Sequence, residues 1–228
     1  LDALLTAMKE YLPHFRRYLI AKGKALGHEN GLPWYDLFAP MGKSDKKYTT
    51  EEARDYLLNI FGKFDSELHD MVKDAFDNSW IDFFPREGKV GGAFDCGVPS
   101  AKESRVLTNF DGSFSDVVTL AHELGHAMHS YYSDKNQPQE KASYKIFVAE
   151  VASTCNESLL IHHLLNKCTD KKERAYLINH FLDSFKGTIF RQTMFAEFEL
   201  MAHEELEKGG VLTPQWLNDT YEKLNSDY

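Results

Sequence analysis

One interval, Trp80 to Phe110, interrupts an otherwise helical rhythm and limits the folds open to this chain. It carries Pro85, Gly88, Gly91, Gly92, Gly97 and Pro99 between short apolar pieces, and Arg105–Phe110 within it reads as a strand. On both sides, apolar residues recur every three and four positions. Leu4, Leu5, Met8, Tyr11, Leu12, Phe15 and Leu19 outline an amphipathic helix despite Pro13. From Gly23 to Met41 the pattern lapses into loop, with Gly31, Pro33 and Pro40. Thr49 and Glu52 then form a capping box, and the helix it opens is expected to run to about Asn78. After Asp111-Gly112, helices are expected over 115–132, 144–167, 171–208 and 213–225. Thr213 caps the last of these and Pro214 takes its first turn. No repeat or linker appears. The expectation is a mainly α fold with a small β-sheet beside the helix of residues 115–132, in one domain over 1–228. Its parts are helices over 1–78, a β element over 80–110, paired helices over 115–167 and C-terminal helices over 171–226.

Composition removes several classes. Hydrophobic residues at 43% and charged residues at 27% belong to a globular chain, not to a collagen-like, disordered or disulfide-stapled one. No run approaches eighteen apolar residues, so no membrane span or membrane partner is expected. With 26 basic against 35 acidic residues the net charge is −9, which disfavours a nucleic-acid partner. Cys96, Cys155 and Cys168 lack CxxC spacing and read as free thiols of a reducing compartment, by default the cytoplasm. The first residues show no signal-peptide pattern. The chain begins without Met and stops at Tyr228 within helical sequence, so a segment of a longer protein is expected. Nothing in the sequence fixes the oligomeric state.

The chemistry concentrates at His122-Glu123-Leu124-Gly125-His126, an HExxH pattern. Four helical residues advance roughly 400°, so both imidazoles leave the same face about 6 Å apart and can converge on one zinc ion. Glu123 lies beside that face, placed to take a proton from an attacking water without competing as a ligand. Composition predicts about 0.03 chance occurrences of the pattern in the chain. Val117, Val118, Leu120, Ala121 and Leu124 are expected to bury this helix and make the site rigid.

Zinc sites of this type keep three protein ligands and one open position. Glu150 is the candidate third ligand, because it stands among Phe147, Val148 and Val151 in an apolar helical run where a carboxylate is costly to bury without a cation. Glu157, seven residues on, could orient a ligand histidine, although the same spacing serves a salt-bridged stripe. His129 returns to the His122 face some 10 Å further along the axis, too far to share the metal. It reads as a supporting or substrate-facing group, or as a plain helix-surface histidine. Arg105–Phe110 is placed to be either an edge strand beside the metal helix, open to an extended peptide, or an ordinary core strand. Phe190, Met194, Phe195 and Phe198 form a packing stripe, with Arg191, Glu197 and Glu199 as polar partners or channel lining.

His122–His129 and Phe147–Thr154 together resemble the oligoendopeptidase F branch of the thimet-oligopeptidase-like zinc peptidases. Gly91–Phe94, Val106–Phe110 and Phe190–Glu199 extend the likeness over nearly the whole chain. The resemblance implies one zinc ion held by His122, His126 and Glu150, with Glu123 as the general base. It also implies a largely helical fold and an endopeptidase that cleaves short peptides inside a deep channel. Members of that family are several hundred residues long. Their oxyanion-stabilising tyrosine and histidine residues lie in a C-terminal segment with no counterpart here, which again points to a catalytic-core segment.

Overall fold

The computed structural model describes residues 1–29, 31–41, 46–99 and 103–228, which form eight α-helices and a three-stranded sheet. The fold is mainly α. By internal packing the chain divides into two compact units, Leu1–Lys43 with Lys171–Tyr228, and Ser44–Asp170.

The Ser44–Asp170 unit carries the interrupted interval. Helix α2 (Thr50–Phe61) starts at the expected capping box, where Thr49 Oγ1 accepts from the Glu52 N–H at 3.1 Å and the Thr49 N–H donates to Glu52 Oε2 at 2.9 Å. It does not continue to Asn78. The chain turns at Gly62 and restarts as α3 (Ser66–Asp77), whose cap is Asp65, with Oδ1 accepting from the Glu67 N–H at 2.7 Å. A side-chain cap outcompetes the apolar periodicity that ran across the break.

Strands β1 (Ile81–Asp82), β2 (Phe94–Val98) and β3 (Glu103–Leu107) pair in the order β1-β3-β2, parallel for β1–β3 and antiparallel for β2–β3. The expected small sheet is therefore present, but the strand begun at Arg105 is central. The edges belong to β1 and β2. The connection between β1 and β2 is pinned by Asn109, whose amide donates to the Val90 and Gly92 carbonyls at 3.0 and 2.8 Å.

Helices α4 (Phe114–Asn136) and α5 (Ile146–Lys167) complete this unit. A second capping box, Ser113 with Asp116, opens α4. Just before it, Gly112 adopts φ +88°, where a Cβ would lie 2.9 Å from the Tyr48 carbonyl oxygen. Leu57, Phe61, Val72, Val106, Val117, Leu120, Leu124 and Leu160 are almost fully buried and form the core against which α4 lies.

The other unit is built from α1 (Asp2–Ala25), α6 (Lys171–Phe185), α7 (Arg191–Glu207) and α8 (Pro214–Asp227). Helix α1 accommodates Pro13 and runs three residues into the segment expected to be loop. The single helix expected over 171–208 is two helices joined by a π-helical turn, Lys186–Phe190. Thr213 caps α8 by accepting from the Trp216 N–H at 3.1 Å, with Pro214 at the first position as expected.

Candidate metal centre

Burial of one side of α4 dictates where its histidines go. Val117, Leu120, Ala121, Leu124, Ala127 and Met128 face the core, leaving His122 and His126 partly exposed on a shared side. Their Nε2 atoms lie 3.2 Å apart and their rings are nearly perpendicular at 83°. Glu150 Oε2, from α5, lies 3.3 Å from His122 Nε2 and 3.6 Å from His126 Nε2. One donor atom from each of the three side chains falls within 4.8 Å of the others.

The environment of Glu150 differs from the sequence expectation. Its side chain is 48% exposed, and Ile146, Phe147, Val148 and Val151 around it are exposed as well. The apolar run therefore does not bury the carboxylate. What places Glu150 is the approach of the two helices at Gly125. A Cβ there would lie 2.7 Å from Ser153 Cα and 2.8 Å from the Ala152 carbonyl oxygen, so only hydrogen fits. Asn156, buried on α5, donates to the Ala121 carbonyl at 3.2 Å and ties the same pair of helices. Ser153 Oγ donates to Glu150 Oε2 at 2.8 Å and orients it. Gly125, Ser153 and Asn156 were not singled out from sequence. A glycine inside a buried helix motif was the one signal that could have shown the first.

His122 Nδ1 donates to Glu157 Oε1 at 2.5 Å, which leaves the Nε2 lone pair facing the other donors. Burial disfavours the charged His122 ring, but the Glu157 hydrogen bond and the Glu157, Glu123 and Glu150 charges raise its pKa overall. Burial holds the His126 pKa below the ordinary value, with the nearby His122 adding to it and Glu150 opposing. His129 does not join the converging group. Its ring stacks on Tyr144 at 3.8 Å, and its buried Nδ1 has no hydrogen-bond partner.

Glu123 is buried, and that burial pushes its pKa up to about 7; the Asp95 and Glu150 charges add to the shift, whereas His122 opposes it. A carboxyl poised there can accept and return a proton near neutrality. Asp95, on β2, is itself raised to about 6 by burial, against hydrogen bonds from Ser104 and Ser130. Ser130 Oγ lies 3.4 Å from Asp95 Oδ2 and 2.8 Å from the Tyr144 hydroxyl.

The donor set suits a metal ion: two imidazole nitrogens and a carboxylate oxygen crowd together with no cationic side chain between them. Residues 9–228 match peptidase family M3. The chain belongs to that family.

Among curated relatives, the chain is 41% identical over 228 residues to an oligopeptidase PepF from Bacillus subtilis, covering all of this chain and 34% of that protein. It is 40% identical over 227 residues to a chromosomal oligoendopeptidase F from Lactococcus lactis, covering 37% of that one. It thus spans about a third of the length of the curated relatives it matches. Among solved structures, an oligoendopeptidase F from Enterococcus faecium superposes with a TM-score of 0.65 at 33% identity, over all of this chain and 32% of that one. A PZ peptidase A solved with an inhibitor reaches a TM-score of 0.81 over all of this chain and 40% of that one; at 18% identity it bears on the fold alone. No helix among the described residues is long and apolar enough to cross a membrane.

Proposed function

We propose that this M3 chain is the catalytic-core segment of a zinc-dependent endopeptidase that hydrolyses internal bonds of short oligopeptides in the cytoplasm. The observation that carries the reading is the convergence of His122, His126 and Glu150 beside a buried carboxyl whose pKa lies near 7. His122, His126 and Glu150 would hold the zinc ion, which would supply Lewis acidity toward a water and a carbonyl.

The chain's own groups do the rest. Glu123 takes the proton of the attacking water and hands it to the departing amine. Glu157 fixes the His122 tautomer, and Ser153 steadies the Glu150 oxygen that faces both histidines. The free edge of β2 can add an extended peptide through main-chain hydrogen bonds, a grip on backbone instead of sequence. His129, stacked on Tyr144, is assigned a supporting part beyond the ligand group.

The test pairs zinc analysis with cleavage of a quenched mixed-sequence oligopeptide, with and without chelator. Glu123→Gln is expected to keep its zinc and lose roughly 10²–10⁴-fold in kcat. His126→Ala is expected to lose zinc on dialysis. Near-parent turnover in Glu123→Gln, or full zinc content in His126→Ala, would overturn the assignment. Zinc binding without hydrolysis would make the segment a zinc-stabilised peptide binder. Stepwise loss of C-terminal residues from the oligopeptide would make it a carboxypeptidase.

A further inference from the structure

The unit of Leu1–Lys43 and Lys171–Tyr228 holds a second charged cluster that peptide hydrolysis does not use. Lys22 is fully buried and Lys186 is 4% exposed. Both ammonium groups rest on one carboxylate, with Lys22 Nζ 3.0 Å from Asp183 Oδ2 and Lys186 Nζ 2.7 Å from Asp183 Oδ1. Both also donate to the Leu37 carbonyl, at 3.1 and 2.7 Å. The Tyr18 hydroxyl and the Asn179 amide complete the shell of Asp183 at 2.8 and 3.2 Å. Two buried cations therefore share a single anion. Buried charge is costly unless balanced, so the cluster carries a surplus positive charge.

One of the two lysines borders a cleft. Lys186 lines a cavity of about 500 Å³ together with Trp34, Phe38, Phe190, Arg191 and Tyr221, a size that suits a small organic molecule. Among the described residues, no aspartate or glutamate side chain lines it. Arg191 is exposed and pairs with no carboxylate among the described residues. Its guanidinium lies 5.6 Å from the Phe38 ring centroid, and Lys186 Nζ lies 4.3 Å from it. In a chain with 35 acidic residues against 26 basic ones, a cleft lined by two cationic side chains and aromatic walls is selective by charge. Lys186 also opens the π-helical turn, a rare backbone form concentrated at functional sites. Burial, then the Lys22 and Arg191 charges, hold its pKa below the usual lysine value despite Asp183.

We infer that this cleft binds a small organic carboxylate bearing an aromatic or branched apolar group. Arg191 takes the carboxylate, Lys186 adds positive charge beside it while held by Asp183 and the Leu37 carbonyl, and Trp34 and Phe38 cover the apolar part. A guanidinium fork beside one half-neutralised ammonium matches a single charge, and the aromatic walls suit an apolar body better than a hydrated dianion. Trp34 is 84% exposed and Phe38 61%, so apolar surface is ready at the mouth.

Calorimetric titration of the chain with N-acetyl-phenylalanine, its uncharged amide and inorganic phosphate tests the inference. The acid is expected to bind saturably, at least about tenfold tighter than the amide and than phosphate, and more weakly as salt rises. Arg191→Gln alters an exposed side chain and so keeps the fold, confirmed by circular dichroism; it is expected to erase the advantage of acid over amide. Equal binding of acid and amide, no binding of the acid, phosphate binding as tight as the acid, or an unchanged acid affinity in Arg191→Gln would each overturn it.

Discussion

The two units differ in what they bury. Among the described residues, the Ser44–Asp170 unit buries twenty-three apolar side chains and five polar ones, whereas the other unit buries four of each. In the first, apolar patterning does the organising: α4 sinks one side into a continuous core, and its metal-site side inherits that rigidity. In the second, Lys22, Lys186, Asp183 and Asn179 form a hydrogen-bonded charged cluster, and the buried apolar side chains are Met8, Leu177, Met194 and Leu224. A hydrogen-bonded ionic centre ties down fewer side chains and leaves clefts between helices. The contrast teaches that one small chain can use two separate ways of fixing helices.

Substitutions can break or sharpen that contrast. The largest effect on stability is expected in the polar centre. Asp183→Asn leaves two buried ammonium groups without their anion and should cost about 3–5 kcal/mol in urea unfolding. A loss under about 1 kcal/mol would mean that apolar packing, not charge, holds that unit.

Next comes the contact between α4 and α5. Gly125→Ala forces a methyl against the Ser153 backbone and should cost about 1–3 kcal/mol while weakening retention of added zinc. Unchanged stability and zinc content would show that the helices can part freely.

The smallest effect depends on pH. The Asp95 pKa is raised in the folded state, so the folded protein holds a proton that the unfolded chain releases. Stability from this group is present below the ordinary aspartate value and is lost as pH rises toward about 6. Asp95→Asn should therefore raise the urea midpoint at pH 7, by an amount trimmed by the weakened Ser104 and Ser130 hydrogen bonds, and leave it nearly unchanged at pH 3. A variant that lowers the midpoint equally at both pH values would assign Asp95 a purely structural bond.

Much of this was legible beforehand because the decisive signals are local. Thr49 with Glu52, and Thr213 with Pro214, announce helix starts within a few residues, and the stripe from Val117 to Leu124 announces a buried helix. The same stripe sets His122 and His126 on one side. What escaped was non-local or disguised. Apolar spacing ran through Gly62–Asp65 and through the π-turn, so neither break showed. The central place of β3 depends on pairing with β1, some twenty-five residues earlier in the chain. Phe147, Val148 and Val151 read as core, and their exposure could not be told from hydropathy. Lys22 and Asp183 stand 161 positions apart, beyond any spacing rule.

The hydrogen-only contact at Gly125 has a thermodynamic consequence. Two of the three donor side chains travel with α4, while the third arrives only when α5 docks against it. Any cation that prefers all three donors therefore prefers the docked pair, and by mass action each increment of its affinity becomes an increment of helix–helix cohesion. By the same linkage, loosening α5 weakens the hold of this chain on an ion.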